Sequence, residues 1–402
     1  MTPRLAALAL ALACGTPPAP VLAHPAAQDA AAVDYSAAAQ ALEPLVNARY
    51  AYPERLPGGR FVLTPLLAAE RDAVRDERSL LAFTERALML LADYHAITGS
   101  SFADSYALVP SYADMWVEPR GGAYLVTAVR PGSPAALAGV REGAELVALG
   151  GVPTADAVAA VWAGLGSSGG GERDGFAARV LAAGRRDRAR DLTFRNPGGR
   201  AMRRTLASLY DERAGPRPPV SLNNAATAPV ITITNALGDD ATVAAFDQAM
   251  RSVDPAAPLE VDLTDTPGGG NTHVARGIMG WFAAAATPYQ RHAIPGAARE
   301  TGIAREWLEL VLPRPGVCRH AGPVIVRVGR WTGSMGEGLA RGLRELGARV
   351  CGTRMAGLLG AVEDLPLGNA DLTIKLPVER LMQVNRAPRE AFVPPPCDEP
   401  RP

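Results

Sequence analysis

The sequence predicts an α/β protein whose second half carries a mostly parallel sheet, preceded by a short β-rich region and an N-terminal helical segment. Three observations predict it. After a Pro/Gly/Arg linker at Arg213–Pro219, β-branched runs recur at Val230–Thr234, Leu259–Leu263, Val324–Val328 and Arg349–Cys351. Helical spacing lies between them, and this alternation is the pattern of a parallel sheet. From about Ser111 short β-like runs follow one another: Met115–Val117, Tyr124–Val129 and Glu145–Leu149. Further upstream Leu66, Leu67, Leu80, Leu81, Phe83, Leu88, Leu90 and Leu91 stand among Arg71, Asp72, Glu77 and Arg86. Their spacing predicts two or more amphipathic helices over roughly 36–96, ended by the turn at Thr98–Ser101.

Composition bounds the function. A chain of 402 residues is long enough for two or three domains, each with its own core. The hydrophobic and charged fractions, 48% and 20%, exclude wholesale disorder. Lys+Arg and Asp+Glu are equal at 41 each, so charge gives no case for nucleic acid or an anionic membrane as partner. The only lysine is Lys375.

Residues 1–23 read as an export signal, with a positive start at Met1–Arg4, an apolar run at Leu5–Ala13 and small residues before His24. The expected location is the periplasm or outside the cell. The rival is a lipid anchor at Cys14, where Ala11 replaces the usual leucine. The apolar run is too short to span a bilayer of roughly 30 Å, and no later segment is long and apolar enough. Cys318, Cys351 and Cys397 would remain after processing, enough for one disulfide and one odd thiol, with the pairing open. No Cys/His cluster has metal-ligand spacing, so neither metal nor cofactor is expected. His24, His95, His273, His292 and His320 are the only histidines that could serve as a base.

Two stretches could carry chemistry. In the first, the strand-like Val324–Val328 runs into a Gly-rich turn, and a helical pattern starts just after Ser334. A hydroxyl there meets free backbone N–H groups and a helix dipole that favour developing negative charge. Serine is also a preferred helix N-cap, so capping and nucleophilic roles both stand on this stretch alone. The match to GxSxG fails at Thr332. In the second, Leu259–Leu263 leads into Gly268-Gly269-Gly270, whose amides could approach a substrate closely. The Lys and Ser/Thr of a phosphate loop do not follow.

The order of these segments resembles known families. The strand-like Tyr124–Val129, then Gly132-Ser-Pro-Ala-Ala-Leu-Ala-Gly-Val140 and Arg141–Pro153, resembles the centre of a PDZ domain. Helix-like Ala155–Leu165, the Gly-rich loop 164–171 and strand-like Asp191–Phe194 would complete it. The resemblance implies peptide binding by strand addition along Asp114, Met115, Trp116 and Val117.

Downstream, Asp262-Leu-Thr-Asp-Thr-Pro-Gly-Gly269 and Thr332-Gly-Ser334-Met-Gly-Glu337 resemble the two signature segments of the C-terminal processing (tail-specific) peptidases, of ClpP/crotonase-like build. The resemblance covers roughly 40 to 395. With the signal over 1–23, the expected domains are a helical segment over 30–106, a PDZ-like domain over 107–212 and a serine-peptidase core over 218–402. Ser334 aligns with the nucleophile, and the amides of Gly268 and Met335 align with the oxyanion donors.

The chain departs from the Ser/Lys members, because Leu359 stands at the lysine position and Lys375 sits inside strand-like Leu372–Leu376. Without a lysine the base would be a histidine. The tricorn-like branch draws one from before the PDZ-like domain, which points to His95; His273, after the Gly triplet, is the rival. That branch also uses a C-terminal glutamate. Glu390 aligns best and Glu379 is the second choice. The implied function is exported serine-type endopeptidase, acting on the C-terminal ends of polypeptides by acyl transfer. A non-catalytic PDZ-bearing binding protein and a hydrolase of small esters or amides are the alternatives.

Overall fold

A computed structural model describes residues 33–211, 217–224, 228–234 and 237–397. The expected signal and Cys14 lie outside them. In the second half five strands form one sheet, in the order Arg349–Gly352, Val324–Val328, Leu259–Asp262, Val230–Ile233 and Val220–Asn223. The first four run parallel and only Val220–Asn223 is antiparallel to its neighbour. Its apolar residues Ile231, Val261 and Val326 are fully buried with Phe246, Ile278 and Leu339 from the helices Ala241–Met250, Thr272–Met279 and Met335–Glu345. Burial of branched side chains on a sheet backed by helices is the reason such strands read as apolar runs.

Leu259–Asp262 and Val324–Val328 are adjacent, with Leu259 opposite Val324 and Val261 opposite Val326. Their connections to the next helices therefore leave from neighbouring carboxyl ends, where open α/β sheets form their clefts. The α/β class and the mostly parallel core sheet are thus as expected.

A second sheet was not legible. Ile97–Thr98, Thr373–Met382, Thr287–Ala293 and Glu306–Val311 pair antiparallel, and Ala361–Pro366 joins Thr373–Met382. Its period is masked because polar residues face inward: Gln290 and His292 are buried. A bulge between Pro288 and Gln290 also turns consecutive Tyr289 and Gln290 inside.

Between residues 115 and 206 lies a six-stranded antiparallel sheet, ordered Met115–Arg120, Ala123–Val129, Glu145–Leu149, Arg190–Arg195 and Ala201–Leu206, with Val152–Pro153 beside Glu145–Leu149. The expected helix is present as Thr154–Gly164, and the 164–171 loop is followed by a further helix, Glu172–Ala183. Three helices, Tyr35–Arg49, Pro65–Asp72 and Glu77–Leu88, make up the N-terminal segment. The last begins at an Asp76 cap whose carboxylate accepts from Ser79 N at 2.7 Å.

Cys351 and Cys397 form a disulfide and Cys318 is a free, exposed thiol. The bridge fastens the C-terminal end beside Arg349–Gly352, where Gly352 N also donates to Pro395 O at 2.8 Å. Among the described residues no helix is long and apolar enough to cross a membrane.

Candidate active site

The turn after Val324–Val328 is held from within and from its neighbour. Thr332 Oγ1 accepts from Gly329 N at 3.0 Å and donates to Leu263 O at 2.6 Å. Gly333 N donates to Thr266 O at 3.0 Å. These bonds fix the two Gly-rich segments against each other. The residue that fails the GxSxG pattern, Thr332, is therefore a clasp between the loops.

Ser334 follows with φ 50° and ψ −117°. A serine that only caps a helix sits in the extended region. A side-chain-bearing residue held at this angle is strained, and such strain concentrates at functional turns where a strand breaks into a helix. From Trp331 to Leu343 every residue is buried except Ser334, which is half-buried. Glu337 steadies the turn from behind, its carboxylate accepting from Ser334 N at 3.0 Å, Gly357 N at 2.9 Å and Leu358 N at 3.1 Å. Burial raises the Glu337 pKa, against the opposing pull of Arg389, 3.8 Å away, and of these amides.

Gly268 faces the serine. A Cβ on it would stand 3.1 Å from Ser334 Cβ, and its φ is 133°, so only glycine fits the approach. Its N–H and that of Met335, the first residue of the helix, have no hydrogen-bond partner among the described residues. An oxygen bearing developing negative charge could take both.

His95 lies after the helix Glu77–Leu88 and the turn Met89–Leu91. Its Nδ1 is 2.6 Å from Leu359 O. A carbonyl only accepts, so Nδ1 carries the proton and Nε2 keeps a lone pair. Leu359, the residue in place of the lysine, thus holds the imidazole with its backbone. Burial lowers the His95 pKa and the Asp93 carboxylate opposes this. Asp93 is buried, accepting from His95 N at 2.9 Å and from Tyr50 Oη at 2.8 Å. The link from His95 to the serine turn runs through Leu359 and its neighbour Leu358 to Glu337.

The other expected residues fall elsewhere. Glu390 sits in the short turn Arg389–Ala391 and lines a cleft of about 540 Å³ with Asp93 and Leu359. Among the described residues no hydrogen bond joins it to His95, and the carboxylate acting on the imidazole is that of Asp93. Glu379 is committed to His292 Nδ1 at 2.7 Å. His273 is exposed on the first turn of Thr272–Met279. Lys375 pairs with Asp364 at 2.6 Å.

Asp114, Met115, Trp116 and Val117 are all buried, on an edge strand of their sheet. Asp114 is held by Arg190 through two contacts of 2.7 Å, and Val117 O accepts from Arg179 at 2.8 Å. A strand added here would first have to displace Arg179. Sequence reasoning missed Asp93, two residues before the histidine, and Glu337, although it stood inside the quoted motif.

In fold the chain is similar to C-terminal processing peptidases. The chain is similar in structure to the photosystem II D1 C-terminal processing protease, with a TM-score of 0.52 and 15% identity over 90% of this chain and 92% of that one. It is similar also to mature CPAF complexed with lactacystin, at 0.54 and 15% over 90% and 93%. A CPAF mutant gives 0.55 and 16% over 90% and 92%. No protein-family model and no curated protein matches the sequence.

Proposed function

We propose that the chain is an exported serine-type endopeptidase that cleaves polypeptides by acyl transfer through Ser334. The observation that carries this reading is the strained, half-buried Ser334 at a strand-to-helix turn opposite Gly268. In the first step Ser334 Oγ attacks the peptide carbonyl carbon while His95 Nε2 takes its proton. The carbonyl oxygen gains the negative charge and is bound by the Gly268 and Met335 amides. The imidazolium then gives its proton to the leaving amine, and an acyl-enzyme remains. A water molecule, deprotonated by the same nitrogen, releases the acid and frees the serine.

Leu359 O keeps the imidazole in the tautomer this requires, Asp93 holds the His95 backbone and favours the imidazolium by its charge, and Glu390 lines a cleft with Asp93 and Leu359. The similarity in fold to C-terminal processing peptidases supports polypeptides as the substrates. The sheet over residues 115–206 is the proposed PDZ-like part. Export is supported by the apolar leader and by the Cys351–Cys397 disulfide, which persists in oxidising compartments.

The test is labelling of the purified protein by a fluorophosphonate probe, in wild type, Ser334→Ala and His95→Ala. Labelling of the wild type that is lost in both variants is the expected result. Labelling that persists in Ser334→Ala would remove the serine from the mechanism.

A further inference from the structure

A cavity of about 840 Å³ lies apart from the strand 115–117 and reaches Pro267 at the start of a proposed catalytic loop. Six arginines line it: Arg78, Arg86, Arg130, Arg185, Arg186 and Arg217. Four are paired with three carboxylates. Arg86 pairs with Glu70, Arg185 with Asp104, and Arg130 and Arg217 share Asp265. Arg78 and Arg186 have no carboxylate within ion-pair distance among the described residues. Each is instead stacked on a ring, Arg78 over Phe102 at 5.1 Å and Arg186 over Tyr210 at 5.0 Å.

A guanidinium held flat on an aromatic face can present its N–H edge to a planar anion and loses little further freedom on binding one. Arg186 Nη1 donates to Ser101 Oγ, while its buried Nε has no hydrogen-bond partner among the described residues. The acidic residues lining the cavity do not cancel this excess. Asp104 is spent on Arg185, and burial raises the pKa of Glu85. Met89, Leu108, Val109 and Leu209 add an apolar stretch of wall. Volume and lining fit a ligand that joins a carboxylate to an apolar group.

Position narrows the choice. Pro267 lines the cavity and directly precedes Gly268. Its carbonyl accepts from Ser111 Oγ at 2.7 Å, and a Cβ on Gly333 would stand 2.7 Å from that same oxygen. The cavity thus shares a wall with the turn that presents Ser334. A peptide anchored there by its end can extend past Pro267 toward the serine.

We propose that this cavity binds the C-terminal residue of a polypeptide substrate, its α-carboxylate on Arg78 and Arg186 and an apolar side chain against Leu108 and Leu209. The proposal rests on the peptidase reading above, and it gives tail recognition a site other than the covered strand Asp114–Val117. It also joins distant regions of the chain, since the lining includes residues of the helix Glu77–Leu88, the segment 97–112, Arg185–Arg186 and Pro267.

The experiment uses the full-length Ser334→Ala protein, so that nothing turns over, and a short fluorescent peptide ending in leucine, with either a free or an amidated C-terminus. Anisotropy is expected to show the free acid binding about tenfold or more tightly than the amide. In Ser334→Ala carrying Arg78→Ala and Arg186→Ala that preference is expected to vanish. N-acetyl-leucine should displace the peptide, and inorganic phosphate at equal concentration should not.

Equal binding of acid and amide would overturn the proposal, and this comparison needs no arginine substitution. So would a preference that survives loss of both arginines, which would return tail recognition to the strand, or displacement by phosphate as readily as by N-acetyl-leucine. Fluorophosphonate labelling of the wild type needs no peptide, so failure of the peptidase reading is seen separately.

Discussion

His95 and His292 are both packed inside the molecule, and they differ in what holds their ring nitrogens. His95 has one nitrogen on a backbone carbonyl, and burial lowers its pKa. His292 has a carboxylate on each side, Glu379 at Nδ1 (2.7 Å) and Glu309 at Nε2 (2.9 Å), and its ring stacks on Trp307 at 4.9 Å. Burial opposes its charge, but the bonds to Glu309 and Glu379 outweigh burial and raise its pKa. The difference teaches how to separate a base from a structural cation. A neutral imidazole with a free lone pair can accept a proton near neutral pH, whereas one clamped between two anions already holds it. Residue type and spacing offer no such distinction; in the sequence only the family resemblance of its segment set His95 apart from His292.

The largest effects should fall on the first site. Ser334→Ala is expected to lower peptide hydrolysis by about 10⁴-fold or more, leaving whatever the oxyanion donors supply alone. His95→Ala should cost about 10²- to 10⁴-fold in kcat/KM, the usual worth of a general base. If His292→Gln lowered kcat/KM as much as His95→Ala while the protein stayed folded, the comparison would be broken.

His292→Gln should act on stability instead. Removing the cation takes the partner from Glu379 and leaves Glu309 with Tyr289 and Arg276, at a cost of about 1–3 kcal/mol. The pH dependence has a definite sign. A folded-state pKa raised above the ordinary histidine value of about 6.5 gives stability that is complete below that pH and fades as pH rises through the folded value. Glu309 works the other way. Burial would raise its pKa, but its bonds to His292 and Tyr289 lower it, so its contribution is lost as pH falls below about 4.5. The gap in thermal stability between wild type and His292→Gln should therefore be widest between these limits and narrow above pH ~6.5. A gap that widened with rising pH would show that the cluster is not a charged one.

What could be read from the sequence follows the same physics. The parallel sheet was legible because Leu259–Leu263 and Val324–Val328 are apolar runs between helical patterns. The two Gly-rich turns were legible because they follow those strands directly. The antiparallel sheet was not, since Gln290, His292 and Glu309 occupy inward positions where an alternating pattern expects apolar residues. His292 is tolerated there because Glu309 and Glu379 hold its two ring nitrogens, which sequence spacing does not reveal. Leu359 was read only as a missing lysine. The part it plays in holding His95 belongs to its backbone carbonyl, and a backbone contact leaves no mark on residue identity.

The finest distinction is between Asp93 and Glu390 as the carboxylate that serves His95. The base must be neutral to accept the Ser334 proton, so activity falls as pH drops through the His95 pKa. Burial lowers that pKa, which sets the acid limb of kcat/KM below the ordinary histidine range. The Asp93 charge stabilises the imidazolium and holds the limb up. Asp93→Asn keeps the shape of the side chain and removes the charge, so it should move the limb to still lower pH. It should also reduce kcat, because the imidazolium formed in the transition state loses its nearest anion. Glu390 lines the same cleft without a bond to the ring. A larger displacement of the limb by Glu390→Gln than by Asp93→Asn would transfer the third role to Glu390. It would also mean that substrate binding draws the Arg389–Ala391 turn onto the imidazole.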